Sequence, residues 1–273
     1  YNTLAELMND LLLRDNITRA LIALLTSSIM IAWVGGQAKG MGALFSVFTG
    51  ADPTMMIVIF SAVFILYTII GGMYSVVWTD LVQGSLLLLI AILIYVKIFA
   101  KIDFSFTELK TQLNNVGAGH LAEMTLPFGD VLALFFTGLL GVLAAQVYWQ
   151  RCFAAEKPKD ASRAMFYSGI AAIVLTCIAT LSGLVAKATN PDIEAGNAIS
   201  WLILEEMTVI VALGFFILIY LAAISSASSL LHSAAVVITN DLLIPNAKAK
   251  DDQFYIKFTR WCILIVGIFS VGA

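Results

Sequence analysis

The stretch VIVALGFFILIYLAAISSASSLLHS, residues 209–233, joins an unbroken apolar run to a cluster of hydroxyl side chains. A helix needs about 20 mostly apolar residues to cross a bilayer, and this stretch supplies them. Four serines then fall within five positions, at 225, 226, 228 and 229. A helix facing only lipid would gain nothing from four hydroxyls. The cluster therefore predicts a face that packs against protein or binds a polar ligand.

The composition of the whole chain indicates a membrane protein. Of its 273 residues, 60% are hydrophobic and 12% are charged, whereas a soluble domain carries about 25% charged residues. The net charge of -3 is small, and no basic patch suggests a nucleic-acid partner. The sequence also lacks P-loop, HExxH and GxSxG motifs, so neither an ATP-driven pump nor a membrane hydrolase is predicted.

Seven apolar segments are predicted to be transmembrane helices of a single domain, residues 1–273. They cover residues 17–47, 54–72, 76–99, 129–149, 164–187, 207–238 and 255–273. All five prolines fall between them, as expected because proline breaks a helix interior. The chain starts without Met and ends inside an apolar run, so we expect it to be an internal fragment of a longer protein.

Basic residues predict the orientation of these spans. With the start of the first span in the cytoplasm, ten lysines and arginines lie inside, and five lie at or beyond the outer side. The inner group is Arg14, Arg19, Arg151, Lys157, Lys159, Arg163, Lys248, Lys250, Lys257 and Arg260. This excess favours the orientation by the positive-inside rule. Residues 100–127 then form an external loop, with one short helix predicted there at FTELKTQL and another at 194–206.

The serine cluster allows two interpretations. Ala222, Ser225, Ser226 and Ser229 recur at a spacing that places them on one helical face. Small side chains there would let another backbone pack closely, with the hydroxyls bonding back to their own helix. Alternatively, the hydroxyl and carbonyl oxygens of this face would bind a monovalent cation such as Na⁺. The spacing alone leaves both interpretations open.

Asp80 lies near the predicted cytoplasmic end of the third span, directly after Trp78 and Thr79. In one interpretation Thr79 or Asp80 caps a helix and Trp78 anchors it at the membrane interface. In the other, the Asp80 carboxylate lines a cation route, because carboxylates in membrane helices are costly and are often functional.

The segment FFTGLLGVLAAQVYWQR, 135–151, is unusually polar for a lipid-facing span. Gln146 and Tyr148 lie deeper than expected, and Gly138 and Gly141 are predicted to loosen the helix near the middle of the membrane. Discontinuous helices of this kind expose backbone groups to the solute in secondary transporters. Packing of the two glycines against a neighbouring helix is the alternative.

Three segments, in this order, resemble the sodium:solute symporter family, which includes sodium-coupled proline, pantothenate and sugar transporters. They are GGMYSVVWTDLVQGS at 71–85, QRCFAAEKPKDASRA at 150–164 and AAISSASSLLHSAAVVITND at 222–241. The resemblance implies an all-α, LeuT-type inverted-repeat fold. The seven spans would then be core helices three to nine, with the first, second and tenth outside this chain.

The resemblance also implies roles for individual residues. The family motif Ala-x-x-Ser-Ser/Thr, which ligates Na⁺, falls on the Ala222 carbonyl and the hydroxyls of Ser225 and Ser226. Asp80 matches a family acid implicated in sodium coupling or release. Gln146 matches a polar residue of sugar-transporting members.

The residues around Gln146 depart from the sugar-transporting pattern. Ala145 stands where such members carry a polar side chain, and Val147 replaces an aromatic one. A sugar is therefore not indicated, although Gln146, Ala145 and Gly141 remain the candidates for facing the solute.

We therefore expect sodium-coupled symport of a small polar organic solute by alternating access, in a multi-pass protein of the bacterial plasma membrane. The expected partners are Na⁺, the solute and the lipid bilayer, with no organic cofactor and no enzymatic activity. A symporter-like sensor domain joined to a signalling module is one alternative. A structural membrane subunit is another, and it would tolerate alanine at Ser225 and Ser226.

Overall fold

The computed structural model describes residues 1–123, 125–246 and 251–272, and within these it leaves out the side chains of Leu13, residues 71–79 and Asn246. The anchor predicted at Trp78 and the cap predicted at Thr79 therefore lie outside the described side chains. In the described part, the helices are α1 Leu4–Met8, α2 Asn16–Thr49, α3 Pro53–Ala100, α4 Phe106–Asn115, α5 Phe128–Ala144, α6 Gln146–Phe153, α7 Pro158–Thr189, α8 Ala198–Glu206, α9 Val209–Val237 and α10 Asp252–Gly272. A π-helical segment, Ile238–Leu243, continues α9.

Local sequence signals set the ends of the first long helices. The Asp15 carboxylate accepts a hydrogen bond from the Thr18 backbone N–H at 2.8 Å and caps the start of α2. Gly50, at φ 71°, ends α2 in a left-handed conformation that glycine adopts without strain. Asp52 then caps α3, and Pro53 occupies its first position, where the missing N–H costs nothing. The result is a tight connection between α2 and α3.

The helical segment α3 consists of two antiparallel arms, Pro53–Ile70 and Asp80–Ala100. A straight helix of its length would extend about 72 Å. In the first arm, however, Phe60 packs against Tyr220 of α9, with ring centroids 5.9 Å apart. In the second arm, Lys97 Nζ donates to the carbonyl of Glu206, just before α9 begins, at 2.9 Å. Both arms therefore run alongside α9, and the chain reverses direction between them.

The larger hydrophobic core lies among α2, the first arm of α3, α9 and α10, which we call the packed group. Its fully buried side chains include Met30, Val34, Phe60, Phe64 and Leu231. Small residues bring its helices close together. A Cβ built on Gly35 of α2 would lie 2.5 Å from the Ser270 carbonyl oxygen of α10.

A second hydrophobic core lies at the end of α9 that the charges place outside. Ile98 from the second arm of α3, Leu113 from α4, Val185 from α7 and Leu202 from α8 are fully or almost fully buried there. An ion pair between Lys101 and Glu206 closes its edge. The two short helices predicted in the external loops thus form as α4 and α8, and they cover this core.

The helices α5, α6 and α7 form a third group, which we call the outer arm. The described residues of α5 include none that is buried, and those of α7 include only Ser182, Val185 and Ala186. The axis bends by 47° between α5 and α6, at Ala145. Gly138 and Gly141 lie inside the continuous α5, so the prediction that they loosen this span was wrong in position.

Six segments of the described chain are long and apolar enough to cross a membrane, and the bent pair of α5 and α6 makes a seventh. The predicted all-helical membrane fold with seven spans is therefore confirmed. The helices extend beyond several predicted spans. The helix α7, for example, begins at Pro158 rather than at residue 164.

Candidate functional site

The structure separates the two serines that the family motif pairs. The Ser225 hydroxyl is buried and donates to the Ala222 carbonyl of the preceding turn at 3.0 Å. Ser226, rotated by about 100° around the same helix, is exposed. The Ser225 oxygen retains lone pairs, because a hydroxyl that donates one hydrogen bond can still accept others. Ala222 and Ser225 thus lie together, and Ser226 borders the side of α9 that other described residues leave open.

A third hydroxyl, that of Ser228, was missed by the analysis of spacing. Ser228 is completely buried, and its Oγ has no hydrogen-bond partner among the described residues. Leaving a buried polar group unpaired costs about 1–3 kcal/mol. The available signal was that Ser228 follows Ser225 by three positions and shares its side of the helix. The Ser228 oxygen thus lies unpartnered about one turn along α9 from Ser225.

Asp80 is held in an ion pair rather than serving as a helix cap. Arg151 Nη2 donates to Asp80 Oδ2 at 2.8 Å and to Ser229 Oγ at 3.3 Å. This guanidinium joins the second arm of α3, α6 and α9 at a single point, one turn along α9 from Ser225. Sequence analysis placed Arg151 only at the cytoplasmic interface, because its partners are 71 and 78 residues away in the chain.

Polar side chains continue along α9 beyond Ser229, the serine that Arg151 contacts. The Ser233 hydroxyl donates to Gln150 Oε1 of α6 at 2.6 Å. Asn240 follows two turns later and lines a cavity of about 400 Å³, together with Asn2, Gln150 and Thr239. Ser226, Ser229, Ser233 and Asn240 share one helical face by their spacing. They form a polar stripe from the serine cluster to the end of α9, and α6 contributes partners to it.

The break between α5 and α6 contains the candidates for facing the solute. Ala145 is buried at the break, and the Trp149 indole N–H donates across it to the Leu143 carbonyl at 2.6 Å. Gly141 lies near Trp33 of α2, since a Cβ built there would be 4.0 Å from that ring. These residues lie at or near the break, where some carbonyl and N–H groups lack their usual helical partners.

Gln146 is fully buried, and both ends of its amide are engaged. Its Nε2 donates to the Asn2 carbonyl at 3.0 Å, and its Oε1 accepts from the Leu4 backbone N–H at 2.8 Å. In this conformation Gln146 therefore holds the N-terminal segment. The partners are more than 140 residues away in sequence, so no local pattern could have indicated them.

A buried charge cluster stabilises the packed group at the end where α2 begins and α9 ends. Arg19 of α2 pairs with Asp241 at 2.8 Å, and the Asp241 side chain is completely buried. Thr3 Oγ1 also donates to Asp241 Oδ1 at 3.0 Å, and the Asn240 amide donates to it at 3.1 Å. The cluster ties the N-terminal segment, the start of α2 and the end of α9 together. Sequence analysis did not single it out.

Comparison with known proteins identifies the architecture. A family model described as "Sodium:solute symporter family" matches residues 1–272. The chain is 27% identical to the sodium/sialic acid symporter NanT of Aliivibrio fischeri, over 83% of this chain and 48% of that protein. It is 28% identical to the sodium/sialic acid symporter SiaT of Proteus mirabilis, over 82% and 48%. It is also 28% identical to the high-affinity choline transporter 1 of Drosophila melanogaster, over 88% and 40%.

A solved structure shows the same fold. It is a Na⁺-coupled sialic acid symporter in a substrate-bound, outward-open state, described as revealing a novel Na⁺ site. The TM-score is 0.81 at 24% identity, with 98% of this chain and 60% of that chain covered. The LeuT-type fold expected from the sequence motifs is therefore confirmed. The chain spans about half the length of the curated relatives it matches.

Proposed function

Because the chain belongs to the sodium:solute symporter family, we propose that it takes part in sodium-coupled uptake of a small polar organic solute by alternating access. The observation that supports this most strongly is on α9, where the Ser225 hydroxyl meets the Ala222 carbonyl and the next hydroxyl, that of Ser226, is exposed. No covalent step is required. The inward sodium gradient drives accumulation, because Na⁺ and solute raise each other's affinity equally.

The proposed sodium ligands are the Ala222 carbonyl and the hydroxyls of Ser225 and Ser226. Neutral carbonyl and hydroxyl oxygens suit Na⁺ in membrane transporters. The exposed side of Ser226 would be completed by oxygens from residues outside the described chain. The hydrogen bond from the Ser225 hydroxyl to the Ala222 carbonyl holds the two oxygens 3.0 Å apart.

Asp80 and Arg151 form the proposed closure of the sodium route toward the cytoplasm. The Arg151 guanidinium occupies the polar stripe directly beyond the serines and touches Ser229. Its positive charge opposes passage of Na⁺, and the Asp80 carboxylate holds it in place. Release of sodium would require this ion pair to separate, and Asp80 would then be free to attract the departing cation. Asp80 thus acts on the route and is not a ligand of the resting site.

The solute is proposed to meet the protein at the break between α5 and α6, where Gly141, Ala145 and Gln146 are the candidates. Half-helix ends at such breaks present oriented backbone dipoles to a solute. Gln146 would exchange its bonds with Asn2 and Leu4 for the solute. The named relatives act on sialic acid or choline, which carry opposite charges. The proposal therefore covers the class of small polar organic solutes.

The protein is an integral, multi-pass membrane protein, and its bacterial relatives indicate the bacterial plasma membrane. Residues 1–273 are proposed to act as one transport domain with no organic cofactor. The relatives named above are symporters and choline transporters. These relatives favour transport over the alternative of a sensor.

Uptake into proteoliposomes tests the proposal. The full-length protein that contains this chain would be supplied with radiolabelled sialic acid or choline under an inward Na⁺ or K⁺ gradient. We expect uptake of one of the probes with Na⁺ only, and Ser226→Ala should raise the half-saturating Na⁺ concentration about tenfold. Ser168→Ala is the matched control, since its exposed hydroxyl bonds only to the Ala164 carbonyl of its own helix. Equal uptake of both probes with K⁺ and Na⁺ would refute sodium coupling.

A further inference from the structure

A cavity of about 400 Å³ lies where the first arm of α3 ends against α9 and α10. Its wall is largely aliphatic and includes Ile69, Ile70 and Ile256. Ile70 is 81% exposed and Ile256 is 50% exposed, so the cavity opens to the outside of the helix group. Because all three segments are long and apolar enough to cross the membrane, the surroundings of this opening are lipid.

Among its described lining residues, this cavity has two basic side chains, the Tyr255 hydroxyl and no acid. Arg260 of α10 and His232 of α9 line it, and neither has a hydrogen bond or an ion pair with any described residue. The hydroxyls of Thr68 and Thr259 also line it, but each donates to a carbonyl of its own helix. The groups available to a ligand are therefore the guanidinium and the imidazole.

Arg260 is exposed, and its position near the start of a membrane helix favours pairing with an anion. Arg260 follows the start of α10 at Asp252 by eight residues, which corresponds to about 12 Å along the helix. A charge at that depth of a membrane helix is costly unless it reaches the headgroups or pairs with an anion. Lys257, one turn nearer the start of the helix, is exposed and adds a second positive charge on the same side. The Asp251 carboxylate accepts a hydrogen bond from the Phe254 N–H and so caps the N-terminus of α10 rather than pairing with Arg260.

We propose that this cavity binds the phosphate headgroup of an anionic phospholipid of the cytoplasmic leaflet. Arg260 would bind the phosphate through two parallel N–H bonds, a geometry that guanidinium groups favour. His232 would donate a further bond from within the cavity. The isoleucines would receive the glycerol and the first acyl carbons, which a soluble phosphate ion does not have. Basic pockets between membrane helices on the cytoplasmic side are typical sites for such headgroups.

Lipid binding to the purified full-length protein tests this proposal. The delipidated protein would be titrated with phosphatidylglycerol, phosphatidylcholine or inorganic phosphate, with thermal stability and native mass spectrometry as readouts. We expect phosphatidylglycerol to bind in preference to phosphatidylcholine, and Arg260→Gln to weaken its binding about tenfold. Lys159→Gln is the control, because it removes an exposed positive charge at the start of α7, outside the cavity. Its effect should be small.

Three results would overturn the proposal. In the first, Arg260→Gln binds phosphatidylglycerol as well as wild type does. In the second, phosphatidylcholine binds as tightly as phosphatidylglycerol to wild type, a comparison that needs no variant. In the third, inorganic phosphate stabilises wild type as much as the lipid does, and the ligand is then a soluble anion. If Arg260→Gln does not fold, Arg260→Lys replaces it, and retention of full affinity by that variant would exclude the two-bond geometry.

Discussion

Within this chain, α9 of the packed group and α5 of the outer arm are about equally apolar, yet they differ sharply in how much they bury. Among residues 1–273, which span about half the length of the curated relatives, α9 buries thirteen of its residues and the described part of α5 buries none. Lipid is as apolar as leucine, so hydrophobicity alone does not drive helices together in a membrane. Close packing is what holds helices together there, and it requires small residues where the helices touch. α9 carries alanines and serines along its buried side, whereas α5 presents mainly leucine and phenylalanine.

The difference has a functional counterpart under our proposal. The sodium ligands lie on α9, within the group that is held together by its own packing. Gln150 and Arg151, which occupy the polar stripe below those ligands, belong to α6 in the outer arm. The packed group would thus carry the ion, while α6, whose Gln146 is bonded to the N-terminal segment, closes its route. Separation of the two groups would open the route without rearranging the ligands.

Removal of the buried carboxylate should produce the largest effect on the packed group. Asp241→Ala leaves the Arg19 guanidinium without its partner and should destabilise the full-length protein by about 3–5 kcal/mol. Thermal unfolding in detergent measures this. Glu123→Ala removes an exposed partner of Lys110 and should cost at most about 1 kcal/mol. Equal effects of the two substitutions would mean that the cluster at Asp241 contributes no more than a surface pair.

Replacing glycine by alanine should change the free energy of unfolding in opposite directions in the two regions. Gly35→Ala brings a methyl group to 2.5 Å from the Ser270 carbonyl oxygen, so α2 and α10 must move apart, at a cost of about 1–3 kcal/mol. Gly138→Ala in α5 meets no atom within 4 Å and should stabilise by up to about 1 kcal/mol. Gly36→Ala, also without a close neighbour, controls for the α2 helix itself. Destabilisation by all three would show that α5 is packed as tightly as α2.

Breaking the exposed ion pair should give the smallest effect, and it tests the closure directly. Arg151 and Cys152 line one cavity of about 520 Å³. Arg151→Gln should raise the rate at which Cys152 reacts with a small, positively charged thiol reagent by up to about fivefold. The assay uses the full-length protein with its other cysteines, including Cys177 and Cys262, replaced by alanine. Lys159→Gln, an exposed change at the start of α7, controls for the loss of positive charge. An unchanged rate in Arg151→Gln would remove Arg151 from the closure.

The spans were predictable because their signals are local. Runs of about 20 apolar residues and prolines at the boundaries depend on the bilayer and the backbone, not on distant contacts. The caps at Asp15 and Asp52 are equally local. The reversal within α3 also follows from the sequence, since two apolar runs flank the segment between Ile70 and Asp80.

The position of the helix break was not predictable, because distant partners determine it. Gly138 and Gly141 have the freedom to bend but lie in a regular helix. The chain breaks at Ala145 instead, where the neighbouring Gln146 bonds to a segment more than 140 residues away. Local flexibility permits a break, but tertiary contacts decide where it occurs.

The same limit applies to the site. Spacing placed Ser225 and Ser226 on one face, but only the packing of α9 shows that the first is buried and the second exposed. The missing partner of Ser228 and the ion pair between Asp80 and Arg151 are likewise products of contacts across the fold. Ser225, Ser226 and Asp80 were recognisable from the sequence, while the burial of Ser228 and the partners of these residues were not.

Sodium-dependent stability of the full-length protein tests the central claim most directly. Its unfolding temperature would be measured against NaCl at constant ionic strength with KCl, for wild type, Ser225→Ala with Ser226→Ala, and the control Ser85→Ala with Ser168→Ala, whose exposed hydroxyls bond only to their own helices. Sodium at about 100 times Kd should stabilise wild type and the control by about 2.7 kcal/mol, and the α9 double variant should lose this gain. If Na⁺ and K⁺ act alike on all three proteins, the serines of α9 pack helices and do not bind sodium.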